Sequence, residues 1–337
     1  MTTSTSRITP NLFGIAFGIV GLAEVWATAA DLYGTSRVAS DLLFVLAAAV
    51  WFTTLVLYLR DLTVARRWRT ELLDPVFAPF VALVGIVPML LGVTLAEHAH
   101  LAGVVVTTIS MVFTLVLGGA LIGQWIVSDL SLAQWHPGYF LPTVAGGYLG
   151  ADALAALGHH QLAQVLFGYG SVSWLVLGSI LLQRTFVEQR LPDALLPTMA
   201  IQMAPPVVAG TAWFQINGGV VDGLALGLAG YAVLMGMVQV RLLPVFRRAP
   251  FGPGWWAFSF SYAAVFVDAL HWLVAEDVAH GDWWAWFFLV VVTTALAALA
   301  VRTVAALAHG RFLPAPAPQL SSVAVTHQPI DTKEHVA

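Results

Sequence analysis

Ten long apolar runs, separated by short polar stretches, take up nearly all of this 337-residue chain. They fall at 11–31, 38–59, 75–95, 101–127, 139–157, 162–182, 194–214, 219–243, 254–274 and 282–308. A helix needs about 20 apolar residues to cross hydrocarbon, so the pattern predicts ten transmembrane helices and an all-α membrane protein. Little chain is left for a soluble domain.

The odd-numbered runs start near Asn11, Pro75, Gly138, Ala194 and Gly254. That period of roughly sixty residues predicts five helical hairpins in series, each entering from one side of the membrane and returning to it. Ten helices joined by short loops would give similar spacing without any repeat. The prolines sharpen the pattern: Pro79, Pro88, Pro142, Pro197, Pro205 and Pro206 all lie in runs 3, 5 and 7, and the even runs contain none. Proline frees a carbonyl and bends the backbone, which lipid tolerates only where protein or a water-filled cavity re-satisfies the freed group. Odd helices are therefore predicted to line a central pore, with even helices outside, as a parallel repeat about the membrane normal. Run 9 departs from this, having neither Gly nor Pro after Gly254, and the glycines of runs 4 and 8 serve close packing as readily as a pathway.

Composition agrees with a membrane protein: 59% of residues are hydrophobic, 9% are charged and the mean hydropathy is +0.84, too apolar for a soluble surface. The net charge of −4 selects no partner, and nothing points to nucleic acid. The placement of basic residues is more telling. With the N-terminus in the cytoplasm, 13 of the 14 basic residues are inside and Arg37 alone is outside, which predicts a multi-pass protein of the plasma membrane with both termini cytoplasmic. The first ten residues are polar and run 1 is too long for a cleavable signal, so helix 1 is expected to remain. The absence of cysteine excludes disulfides and thiolate ligands. Residues 1–10 are thus expected to form a cytoplasmic segment, 11–310 the membrane domain, and 311–337, rich in Pro, Ala, Ser and Val, a disordered cytoplasmic tail.

Several short motifs carry a family resemblance. They are Phe13-Gly14-Ile15 with Gly18; His136-Pro137 followed by Leu141-Pro142 and Val144-Ala145; Ala204-Pro205; Ile216-Asn217 with Gly219 and Asp222; and Trp256-Ala257-Phe258-Ser259-Phe260. Their order and their placement on odd runs or adjoining loops resemble the family of the tellurite-resistance protein TehA, the plant slow-type anion channels and the four-carbon dicarboxylate transporters. The resemblance implies five inner helices around a pore, a homotrimer with one pathway per protomer, small inorganic or organic anions as cargo, and no cofactor. It also implies that Phe260 lies across the pore as a gate, and that Phe13, Gly14, Gly18, Pro88, Pro142 and Pro205 line or bend it. A phenyl ring in a narrow passage is a hydrophobic constriction, where an ion would shed water without a replacement ligand. Without the motif, Phe260 would read as one more packing aromatic among 19 phenylalanines. Ala16, where several bacterial relatives have proline, and Gly85 with Pro88 shift the bending points relative to that family.

Three carboxylates within odd runs, Glu24, Asp152 and Asp268, stand where the family is mostly neutral, each about thirteen residues past the start of its run. No Lys or Arg shares the outward half of an odd run. A proton held by one of them would admit an anion that the ionised group repels, making all three candidates for proton-linked carboxyls. The other reading places them between helices, bonded to carbonyls freed by Gly or Pro, or in water at the outer interface. Asp268, eight residues from Phe260, should lie about 80° around the same helix, on an adjoining face.

His98, His100, His159, His160 and His280 fall in outer loops and His271 near the end of run 9, where solvation explains them better than a metal site. Trp283, Trp284 and Trp286 read as interfacial anchors. No nucleophile motif or phosphate loop suggests an enzyme. The function expected is an anion channel or exporter. The alternatives are a proton-coupled carrier of malate-like four-carbon dicarboxylates, or tellurite or sulfite efflux.

Overall fold

The computed structural model describes residues 7–313. Residues 1–6 and 314–337, which include most of the expected tail, lie outside the described residues. Among the described residues all regular structure is helical. Ten principal helices occupy the ten expected places: α1 (Phe13–Tyr33), α2 (Arg37–Ala65), α3 (Leu83–His98), α4 (His100–Val127), α5 (Gly146–Ala156), α6 (His160–Val187), α7 (Ala204–Asn217), α8 (Gly223–Phe246), α9 (Ala257–Ala275) and α10 (Gly281–Ala308). A single helical turn at Trp68–Glu71 interrupts the connection between α2 and α3.

Every odd helix is preceded by a non-α lead. The leads are 3₁₀ turns at Pro10–Leu12, Ala78–Ala82 and Pro253–Trp256, an eleven-residue 3₁₀ segment at Asp193–Met203, and a 3₁₀ turn at Pro137–Phe140 followed by a π-turn at Leu141–Ala145. Each lead contains proline, because a residue with fixed φ and no N–H fits the first turn of a helix but breaks the ladder deeper in. With their leads α1, α3 and α9 join the five even helices as eight stretches long and apolar enough to span a membrane. α5 and α7 do not qualify, since much of their length is lead.

The proline pattern needs one correction. α8 contains Pro244, one residue beyond the run expected from hydropathy. It lies in the last turn, where the carbonyl it frees is close to the end of the membrane segment and within reach of water, so an even helix tolerates it.

Loops at one end are short and locally fixed. Between α7 and α8, Gly218 and Gly219 adopt φ of 75° and 80°, Asn217 Oδ1 accepts from the N–H groups of Gly219 and Val220, and Asp222 caps α8 by accepting from Leu224 and Ala225. The Asn217-Gly219-Asp222 motif is therefore a turn and a cap. The N–H of Ala225 above all, with the Trp213 indole and the Leu224 N–H, holds the Asp222 carboxyl below its ordinary range. At the opposite end, Arg7 reaches Glu71 at 3.0 Å, Arg67 pairs with Asp61, and Tyr58 donates to Glu71 at 3.3 Å, tying the N-terminal segment to α2 and the α2–α3 connection. Phe312 is buried with Leu12 and Trp256, so ordered packing extends past residue 310 into the first residues of the expected tail.

Consecutive helices pack in pairs: α1 on α2, α3 on α4, α5 on α6, α7 on α8 and α9 on α10. Odd helices also pack on one another, α1 on α3, α3 on α5, α5 on α7, α7 on α9 and α9 on α1. Burial follows. In its most apolar stretch α1 is 67% buried and α3 72%, against 17% for α2 and 22% for α10, so the core lies among the odd helices. α9, at 39%, is less covered because one of its faces lies open between α8 and α10.

Candidate functional site

Two cavities lie end to end along the core, and residues of the odd helices and their leads line both. The inner one, on the side of the leads, has a volume of about 60 Å³ and is bordered by Asn11, Gly14, Phe17, Leu141, Pro205 and Ala257 among others. The outer one has a volume of about 70 Å³ and is bordered by Glu24, Thr28, Leu90, Asp152, Thr211 and His271 among others. Among the described residues, no Arg or Lys borders either cavity. Three residues border both: Leu149 of α5, Val208 of α7 and Phe260 of α9.

Phe260 is 7% exposed, and its ring stacks on that of Phe17 with centroids 3.7 Å apart and planes 11° from parallel. Phe17 belongs to none of the motifs above, and its place between Gly14 and Gly18 is its one signal in the sequence. α1 can approach α9 here because Gly18 has no side chain: a Cβ would lie 2.5 Å from Ser259 Cβ and 2.9 Å from the Trp256 ring. Trp256 is fixed by its indole N–H donating to Thr303 Oγ1 at 3.0 Å, and Ser259 Oγ donates back to the Trp256 carbonyl at 2.6 Å. The Trp256–Phe260 motif thus anchors α9 to α10 and α1 and sets the Phe260 ring against Phe17.

Of the other expected residues, Gly14 and Pro205 border the inner cavity. Phe13 is fully buried and packs edge-on against Tyr58 of α2 with centroids 5.6 Å apart, away from both cavities. Gly18 packs against α9, Pro88 is buried within α3, and Pro142 lies in the π-turn leading to α5.

The carboxylates separate. Glu24 and Asp152 border the outer cavity, and Asp152 is the one residue between Gly146 and Ala155 of α5 that is not buried. Both sit three residues past the level of Phe260: Asp152 follows Leu149, and Glu24 follows Gly21, where a Cβ would lie 3.0 Å from the Phe260 ring. One helical turn, about 5 Å, therefore separates them from Phe260. Thr211, three residues past Val208, joins the same layer; its Oγ1 and Asp152 Oδ1 are buried without a hydrogen-bond partner among the described residues. Asp268 lies elsewhere. It borders neither cavity and packs between α9 and α7, where a Cβ on Gly210 would lie 2.5 Å from its Oδ1. The helical offset from Phe260 placed Asp268 on an adjoining face, and that face meets α7 because Gly210 leaves room for a carboxyl.

His136, ahead of α5, is wholly buried beside the inner cavity with its ring stacked on Phe80. Its Nδ1 accepts from the Gly138 N–H at 3.2 Å while Nε2 lies 3.1 Å from the Val76 carbonyl, an arrangement only the neutral Nε2–H tautomer satisfies. Burial pushes this imidazole down to about 4.

Residues 7–304 match the family model described as "SLAC1: Voltage-dependent anion channel". The chain is 32% identical over 255 residues to the tellurite resistance protein TehA homolog of Haemophilus influenzae, covering 75% of this chain and 77% of that protein. It is 26% identical over 267 residues to the S-type anion channel SLAH2 of Arabidopsis thaliana, covering 75% of this chain and half of the plant protein (50%). An uncharacterized transporter of Methanocaldococcus jannaschii is 23% identical over 292 residues, 75% of this chain and 83% of that one. With a family model spanning nearly the whole helical region, this multi-pass membrane protein belongs to the SLAC1 family of anion channels and transporters.

Proposed function

We propose that the protein passes small anions across the plasma membrane through a pathway enclosed by α1, α3, α5, α7 and α9, closed at mid-depth by Phe260 and Phe17. The five helix pairs then act as hairpins around that pathway, with even helices toward lipid and both termini cytoplasmic. One observation carries the reading: the two cavities are bordered by the odd helices and their leads, and they meet at Phe260, Leu149 and Val208. An anion there would contact aromatic and aliphatic groups and would have to shed water, so passage requires the ring to turn aside. With no Arg or Lys on the route among the described residues, selectivity follows dehydration cost and width, favouring nitrate- or chloride-like ions over strongly hydrated ones. By family resemblance three copies associate, each with its own pathway.

Glu24 and Asp152 favour a second reading, a proton-coupled carrier of four-carbon dicarboxylates, because they flank the outer cavity one turn beyond the constriction. The absence of Arg or Lys for a substrate carboxylate counts against it. Tellurite resistance belongs to the name of the Haemophilus relative, and tellurite or sulfite efflux would use the same pathway. Planar-bilayer current from purified protein, with ion substitution and a pH series, separates the readings. A channel gives ohmic anion current that rises in Phe260→Ala. Saturable malate uptake that acidifies the vesicle lumen, and loses its pH dependence in Glu24→Gln/Asp152→Asn, would replace it with the carrier.

A further inference from the structure

Outside the core, a trough of about 540 Å³ runs along the open face of α9, between α8 and α10, which make little contact with each other. Its floor is Phe258, Ser259, Tyr262 and Phe266, and its α10 wall runs from Val291 to Arg302. Both the floor from Trp255 and that wall cover twelve residues, eleven steps along the chain. At 1.5 Å per residue each is about 16 Å long, close to half of a hydrocarbon core of about 30 Å. One end differs from the rest, because Arg247 and Arg302 border it there and every other lining residue is uncharged.

Neither arginine faces a carboxylate among the described residues, whereas Arg7, Arg37 and Arg67 are all ion-paired. The Arg302 guanidinium lies 4.4 Å from the Phe251 ring centroid and 5.4 Å from that of Trp255, which holds it at the end of the trough. A planar guanidinium fixed in this way is suited to a phosphate oxygen pair. An apolar slot one leaflet deep with two unpaired guanidinium groups at its membrane edge has the form of a phospholipid site.

We infer that this trough holds an anionic phospholipid of the leaflet on the arginine-bearing side, its phosphate between Arg247 and Arg302 and an acyl chain along α9. α9 carries Phe260 on its other side, and Ser259, a floor residue, is the group against which Gly18 of α1 packs. The lipid would therefore brace the constriction helix from behind. That consequence rests on the proposed pathway, whereas lipid retention does not and can be read without any current.

The test uses the full chain in nanodiscs of mixed phosphatidylglycerol and phosphatidylcholine, followed by native mass spectrometry and thermal unfolding. Wild type should retain phosphatidylglycerol and be stabilised by it. Arg247→Gln/Arg302→Gln should lose most of that retention, about tenfold for two charge-assisted contacts. Ala295→Trp, which fills the trough without touching the arginines, should lose it as well. Equal retention in all three proteins overturns the site. Displacement of the lipid by glycerol phosphate as readily as by phosphatidylglycerol would mean a phosphate site without an acyl slot, and also overturns it. The chain has no cysteine, so Ala298→Cys reports a second copy paired through the same trough face. Quantitative disulfide-linked dimers would overturn the lipid assignment, and monomers with retained lipid support it.

Discussion

The closure proposed for the stacked pair Phe17 and Phe260 is measurable. Turning the Phe260 ring aside breaks a contact with centroids 3.7 Å apart, and an aromatic pair of this kind contributes about 1 kcal/mol beyond the area it buries. Phe17→Leu keeps most of the side-chain volume and removes the pair. The closed form then loses about 1 kcal/mol relative to the open one, a factor of about five in the open-to-closed ratio. Phe260→Ala removes the obstruction itself and should raise current further, by about tenfold or more. Once Phe260 is gone the stack no longer exists, so adding Phe17→Leu should change little, and the cycle should show coupling of about 1 kcal/mol. The assay is chloride or nitrate current through planar bilayers at matched protein density, with the two single variants and the double. A Phe17→Leu that raises current fivefold in the Phe260→Ala background as well would mean that Phe17 obstructs independently. Unchanged current in both single variants, in folded protein, would refute the closure.

Two further outcomes bear on the scaffold. Gly18→Val should force α1 away from Ser259 and Trp256 and destabilise the protein by about 2 kcal/mol, read as a lower midpoint of thermal unfolding in detergent; an unchanged midpoint would contradict the close approach. His136 predicts a pH dependence of stability. Its folded value of about 4 lies below the ordinary 6.5, so the unfolded chain binds more protons between these values; stability is full above about 6.5 and falls toward pH 4, by up to about 3 kcal/mol. His136→Gln should flatten the unfolding midpoint between pH 7.5 and 5, and a slope as steep as wild type's would show that other groups set it.

The helix pattern was legible in the sequence because a membrane span must be apolar over most of its length. Ten runs gave ten helices, with ends off by a few residues at Phe246, Val187 and Ala65. Proline marked the odd helices, with Pro79, Pro142 and Pro197 in the leads, where 3₁₀ and π turns replace α, Pro205 and Pro206 in the first turn of α7, and Pro88 within α3. Asp268 lies on the face its helical offset from Phe260 indicates, but what that face meets is set outside its own helix. A helical angle says which face a residue is on, but Gly210 on α7 decides what that face meets. Glu24 and Asp152 are brought to one cavity by packing of α1 and α5 around α7 and α9, which no spacing in the chain encodes. Phe17, an apolar residue within an apolar run, carries no contrast of its own, and only its place between Gly14 and Gly18 marks it.

The eleven-residue lead of α7 has a consequence for chain length. A 3₁₀ helix rises about 2.0 Å per residue against 1.5 Å for an α-helix, so Asp193–Met203 spans about 22 Å and the 14 residues of α7 about 21 Å more. The sum, about 43 Å, equals the reach of the 28-residue α6 beside it, at about 42 Å, with three fewer residues. Pro197, Pro205 and Pro206 lack the N–H groups that rewinding into α-helix would need, so this stretched form cannot contract by the turn it would otherwise lose. The segment works as a strut of fixed length, holding the inner end of α7 level with its neighbours while the chain beside the cavity stays thin.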